Sequence, residues 1–245
     1  MSSSLPKNKP LQPPLITRLL RYFWTNQIPY NTLNHSTFIK PENLKRWRII
    51  SFLYNSGLLT TAFLVAPKVW TPLKYLTIWG IIGCTTYFGL ALKYQNSPHK
   101  SVGWKITYVL GEVVFSVESL IAPFFFFYIF PWMLKNRTLS KFDIFSQICL
   151  HFLAPLTIWI ETLCNQMKFP KRHAGFLGIF ILAYSINNYF WTTTTNKPIY
   201  PNLDWKSLKS LLVGLVSVGL LFFGYWVGNF QSSKKTQYKA SKSPK

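Results

Sequence analysis

Two residues in this sequence are of a type and setting that could do covalent chemistry: Thr77 and His151, each near one end of a long apolar run. A neutral imidazole so placed can be a general base, a proton relay, a metal ligand or a helix-to-helix hydrogen bond. A threonine hydroxyl in an apolar helix ordinarily bonds its own backbone. Beside an imidazole it becomes a nucleophile, because the ring takes its proton as the oxygen attacks an acyl carbon. Three carboxylates share the apolar setting, Glu112 and Glu118 in one run and Glu161 in the run that holds His151. Ionisable groups are costly in hydrocarbon and face a bundle interior or a wet cavity. Glu112 is close enough to the end of its run to reach lipid headgroups, whereas Glu118 is more central and needs a partner or a proton. Asn187 and Asn188 offer amide donors, either for an oxyanion or for bonds between helices. Tyr184, one turn earlier, is a further polar candidate for a shared cavity. No second His or Cys stands at ligand spacing from His151, so neither a metal nor another cofactor is expected. There is no G-x-S-x-G elbow.

The elements that must position these residues are apolar segments of membrane-spanning length. The chain is 49% hydrophobic and 18% aromatic with only 13% charged residues, about half the charge of an ordinary soluble domain. Its apolar runs approach or exceed the roughly 20 residues needed to cross a bilayer. They predict an all-α polytopic membrane protein with six spans: about 49–66, 74–92, 104–130 (long enough to tilt, or to kink at Pro123), 144–164, 174–191 and 208–230. Residues 1–48 read as a basic cytosolic arm, with Leu15, Ile16, Leu19, Leu20 and Phe23 at the spacing of a helix lying on the membrane surface. Residues 49–230 form the transmembrane domain and 231–245 a basic cytosolic tail. The Phe124 to Phe127 run reads as lipid-facing or packed aromatic surface. Cys84, Cys149 and Cys164 lie in apolar segments without CxxC spacing and read as buried small hydrophobes.

The net charge of +21 has no nucleic-acid motif beside it. It is explained by topology and by attraction to anionic lipid. Of the 27 Lys and Arg, 19 fall in the two tails and the loops on their side, and 8 in the opposite loops. Both termini are therefore expected in the cytosol. Lys45, Arg46 and Arg48 read as a basic stop just before the first span. The sequon Asn136-Arg137-Thr138 then falls on the lumenal side, and Asn34-His35-Ser36 on the cytosolic side. In this topology Thr77 and His151 both lie in the lumenal half of the membrane. They differ in depth by about four residues, or roughly 6 Å. Glu161 lies about 15 Å further along the helix of His151, too far for a direct bond.

The stretch from Trp70 through Pro72, Lys74, Tyr75 and Leu76 to Thr77, continued by Tyr87, Phe88 and Gly89, resembles the androgen-induced/FAR-17a family of multi-spanning membrane threonine hydrolases. A second match runs from His151 through Pro155 and Glu161 to Gly175, and a third joins Tyr184 to Tyr200 and Pro201. Together they cover roughly residues 70 to 230. The resemblance implies Thr77 as nucleophile, His151 as its base, and fatty acid esters of hydroxy fatty acids as substrates. With it comes the expectation of a multi-pass protein of the endoplasmic reticulum membrane whose partners are the lipid bilayer and a lipid ester, with no nucleic acid. Gln147 and Ile148 stand where the family commonly has an Asn-His pair. That departure keeps a non-catalytic scaffold of the same fold as an alternative. A small proton-coupled transporter using Glu118, Glu161 and His151 is another.

Overall fold

The computed structural model describes residues 30–36, 38–96 and 102–242. The surface helix expected around Leu15 to Phe23 and the loop residues Pro98 and His99 lie outside the described residues. Six long helices dominate: α1 (Pro41–Leu64), α2 (Leu76–Tyr94), α3 (Val102–Asn136), α4 (Lys141–Cys164), α5 (Ala174–Thr195) and α6 (Leu208–Lys242). No strand is found among the described residues, and one isolated bridge joins Ser36 to Asn165.

Local chemistry sets the helix ends. Pro41 opens α1, where its missing N–H is not needed, and Glu42 in the first turn complements the helix dipole. Ser140 and Asp143 form a reciprocal capping box at the start of α4. Asn196, in the left-handed region at φ 51°, ends α5. Before α6, the Asp204 carboxylate accepts the N–H groups of Lys206 and Ser207. Those backbone hydrogen bonds hold it below the usual carboxylate range.

Helices α2, α3, α4 and the Leu208–Lys235 part of α6 are each long and apolar enough to cross a membrane. Helices α1 and α5, at 24 and 22 residues, have the length of a span. Their composition is diluted by polar residues, Arg48, Ser51 and Asn55 in α1 and Asn187, Asn188 and four threonines in α5. The chain is an all-α polytopic membrane protein. Ile179, Leu182 and Ile186 on α5 and Leu211, Leu215 and Trp226 on α6 are exposed, an apolar surface of the kind that lipid covers.

Helix α3 runs through the middle and packs on α2, α4, α5 and α6. The α2–α3 contact is close because α2 offers glycine there: a Cβ at Gly80 would run into the Glu118 carboxyl. Trp104, Tyr108, Phe115, Tyr87 and Phe88 fill the core around this contact.

Several boundaries differ from the sequence reading, for physical reasons. The first helix begins at Pro41, so Lys45, Arg46 and Arg48 lie on it and do not precede it. Arg48 is 1% exposed. It points inward, where its Nη2 lies 2.7 Å from Glu161 Oε1. Its guanidinium also donates to the Asn34 side chain and the Leu33 carbonyl, which docks the end of the arm on the bundle. Tyr87 and Asn165 donate to the same Glu161 oxygen. Glu112 does not reach headgroups: it is fully buried, 2.8 Å from Nδ1 of the buried His173. Pro123 sits within regular α-helix, and the irregular turn of α3 comes later, at Phe125–Ile129.

Candidate active site

Two of the helices that line the site each contain one π-helical turn, Phe125–Ile129 in α3 and Cys149–Leu153 in α4. Each is explained by a downstream proline. A proline lacks an N–H, and its ring collides with the carbonyl four residues earlier. For Pro131 that carbonyl belongs to Phe127, and for Pro155 it belongs to His151. These are the central residues of the two turns. In α4 the strand of hydrogen bonds resumes through Ala154 N–H, which donates to the Cys149 carbonyl five residues back. The Tyr54 hydroxyl of α1 donates to that same carbonyl at 2.9 Å. Turns of this kind are frequent at functional sites because they re-aim a side chain. Here they set the His151 imidazole flat against the Phe125 ring, with centroids 3.6 Å apart and planes 4° from parallel.

Thr77 is the second residue of α2. The carbonyl a helical threonine usually bonds, four residues back, is that of Leu73. Both of its lone pairs are taken: Trp79 Nε1–H donates to it at 2.7 Å and Asn187 Nδ2 at 3.0 Å. The Thr77 hydroxyl is left for His151, and Oγ1 lies 3.3 Å from Nδ1. With the ring proton on Nε2, the hydroxyl donates to Nδ1, the geometry of a nucleophile and its base.

Oxyanion donors are also at hand. At the start of α2, Leu76 N–H donates to the Tyr200 hydroxyl at 2.8 Å, and Ile78 N–H to the Tyr75 carbonyl at 3.1 Å. Among the described residues the Thr77 N–H between them has no hydrogen-bond acceptor, and it lies at the positive end of the helix dipole. The Tyr184 hydroxyl is 2.9 Å from the Lys74 carbonyl and 3.2 Å from the Tyr200 hydroxyl. Tyr184 has one proton; with that given to the carbonyl, the proton of Tyr200 can serve an oxygen in the cavity.

These groups line a cavity of about 400 Å³ between α2, α3, α4, α5, α6 and the segment before α6. The walls are mostly apolar: Leu120, Ile121 and Phe124 of α3, Phe180 and Ile181 of α5, and Val213, Val218 and Leu221 of α6. Size and lining suit a small lipid. The segment before α6 is held in strained backbone, with Asn202 at φ 57° and Trp205 at φ 61°. Trp205 Nε1–H donates to Asn188 Oδ1 at 2.8 Å.

The residues singled out in the sequence thus separate. Thr77, His151, Tyr184 and Asn188 line one cavity. Asn187 is not in that lining and holds the Leu73 carbonyl. Glu161 is in the Arg48 cluster, and Glu118 lies between α2 and α3, its nearest hydrogen-bonding neighbour the Cys84 thiol at 3.8 Å. Among the described residues no hydrogen bond links any of the three carboxylates to His151. Tyr200, Phe125 and the main chain of Thr77 are parts of the site that residue type alone did not indicate. The proline spacing was the readable signal for Phe125. Among the described residues no group of His, Cys, Asp and Glu could hold a metal.

One consequence is open to test. Pro155→Ala restores an N–H and removes the ring that forces the π turn. Regularising the turn by one residue rotates His151 by about 100° around the helix. Any chemistry that depends on the Thr77–His151 contact is expected to fall at least about tenfold, the scale of a misplaced catalytic group, with the thermal midpoint held or raised. Wild-type activity in Pro155→Ala would show that the turn does not aim the imidazole.

Fold and site together define a polytopic helical membrane protein whose cavity pairs a hydroxyl with an imidazole. No family model, no curated protein and no solved structure matches the chain.

Proposed function

We propose that this protein is an intramembrane hydrolase of lipid esters, with Thr77 as nucleophile and His151 as general base. The observation that carries the reading is the 3.3 Å approach of Thr77 Oγ1 to His151 Nδ1 inside an apolar cavity. An apolar ester partitions into the bilayer and reaches such a cavity by lateral diffusion. Thr77 oxygen attacks the ester carbonyl while His151 takes its proton. The tetrahedral oxyanion is met by the Thr77 N–H and the Tyr200 hydroxyl. Collapse breaks the ester bond, and His151 returns the proton to the departing hydroxyl compound, leaving the acyl group on Thr77. A water then gives its proton to His151 and attacks the acyl-threonine, releasing the fatty acid and restoring Thr77.

The resemblance to the androgen-induced family supports fatty acid esters of hydroxy fatty acids as the substrate class. Under this reading the chain crosses the endoplasmic reticulum membrane six times with both termini in the cytosol, and the dyad lies in the lumenal half. The test is to incubate purified wild-type protein with such an ester and quantify both products, the fatty acid and the hydroxy fatty acid, beside a His151→Ala control. Equimolar release by wild type, absent from the control, is expected. Equal release by both would sink the reading.

A further inference from the structure

We infer that Arg137 is an anion-recognition residue at the rim of the cavity and selects lipids that carry a free carboxylate. Among the described residues lining the cavity Arg137 is the sole Lys or Arg. It follows directly after α3, which ends at Asn136, so it stands at one end of a membrane-spanning helix, while Ile129, Met133, Ile199, Val213 and Leu221 of the lining are apolar. Its guanidinium lies 5.5 Å from the Trp132 ring centroid, a cation–π contact that holds the charge beside another lining residue. Neither ion pair among the described residues involves it, and it is exposed. Gln147 of α4 is a further polar side chain of the lining. An apolar cavity with one cation at its rim matches a molecule with a long hydrocarbon body and a single anionic group. The planar guanidinium fits a carboxylate through two parallel N–H donors.

The choice of an ester substrate rests on the hydrolase reading; the recognition of a fatty carboxylate does not. Two measurements separate them. The first is binding of radiolabelled oleate to the purified protein in neutral detergent, with methyl oleate and an oleoyl lysophosphatidate as competitors. Oleate is expected to bind wild type at least about tenfold more tightly than Arg137→Gln, the loss of one charge-assisted contact, with Arg137→Lys between them. Methyl oleate should compete poorly against wild type. Equal oleate affinity in wild type and Arg137→Gln would overturn the inference, and preferential displacement by the lysophosphatidate would replace the carboxylate with a phosphate headgroup. The second is hydrolysis of a fatty acid ester of a hydroxy fatty acid against its methyl ester. Wild type is expected to favour the free acid about tenfold in kcat/KM, through KM, and Arg137→Gln to bring that ratio towards one. A ratio that does not move contradicts the inference. If wild type hydrolyses neither compound, the hydrolase reading fails, and the oleate result still decides the role of Arg137.

Discussion

Replacing Thr77 with alanine should lower turnover of a fatty acid ester of a hydroxy fatty acid by about a thousandfold or more, while the protein still folds. The size follows from what is removed. Without the hydroxyl there is no acyl-enzyme, and only binding and oxyanion stabilisation remain to accelerate direct attack by water. The fold should tolerate the change. Thr77 Oγ1 makes its one hydrogen bond to His151, and the Leu73 carbonyl keeps both of its donors. A shift of about 1 kcal/mol in stability is the scale expected for one neutral hydrogen bond. Thr77→Ser keeps a hydroxyl at the same place and should retain much of the activity. His151→Ala should cost as much as Thr77→Ala, and the double variant little more than either, because the two residues act as one unit. Initial rates with purified, monodisperse variants, and thermal midpoints for each, supply the comparison. Losses that add in the double variant would show that the two residues work separately.

The largest effect on stability is expected at Arg48. Arg48→Met leaves Glu161 buried, 0% exposed, without its salt-bridge partner. Breaking a buried pair from one side costs about 3–5 kcal/mol, because a charge is left uncompensated. The variant also releases the Asn34 side chain and the Leu33 carbonyl, so the docked end of the arm should loosen. Pairing it with Glu161→Met removes both charges and should recover most of the loss, since well-packed apolar replacements of buried pairs are often neutral. Thermal unfolding in detergent of the two single variants and the double variant reads this directly. A single variant as stable as wild type would mean that the pair contributes nothing, and a double variant no better than the worse single one would mean that packing, not charge, is what Arg48 supplies.

Much of the architecture was legible because lipid imposes a simple rule on sequence. Runs of about 20 apolar residues become helices, and each of the six helices described here overlaps one of the segments read from hydropathy. The shared depth of Thr77 and His151 was legible for the same reason, since helical rise converts residue counts to distance. What could not be read was which way a side chain faces. Arg48 next to an apolar run looks like a topology signal, and only Glu161, a carboxylate in need of a counter-charge, hinted that it turns inward. Glu112 looked close enough to the end of its run to reach headgroups, and its partner His173 stands one residue before the span read at 174–191. The Phe124 to Phe127 run looked like surface, yet Phe125 lies under the imidazole while Phe127 is 85% exposed. That division follows from the π turn, whose cause, Pro131 four residues beyond Phe127, was present in the sequence. Tyr200 and Trp205 reach the cavity through a strained segment whose left-handed residues, Asn202 and Trp205, carry no glycine signal.

The central claim is that Thr77 carries the acyl group during turnover. The most direct measurement mixes excess wild-type protein with a fatty acid ester of a hydroxy fatty acid, quenches in acid within a single turnover, and maps acylated peptides by mass spectrometry. The account expects one acyl group on the peptide containing Thr77, none in Thr77→Ala, and formation slowed in His151→Ala. An acyl group on another residue, or hydrolysis by Thr77→Ala at the wild-type rate, would contradict it.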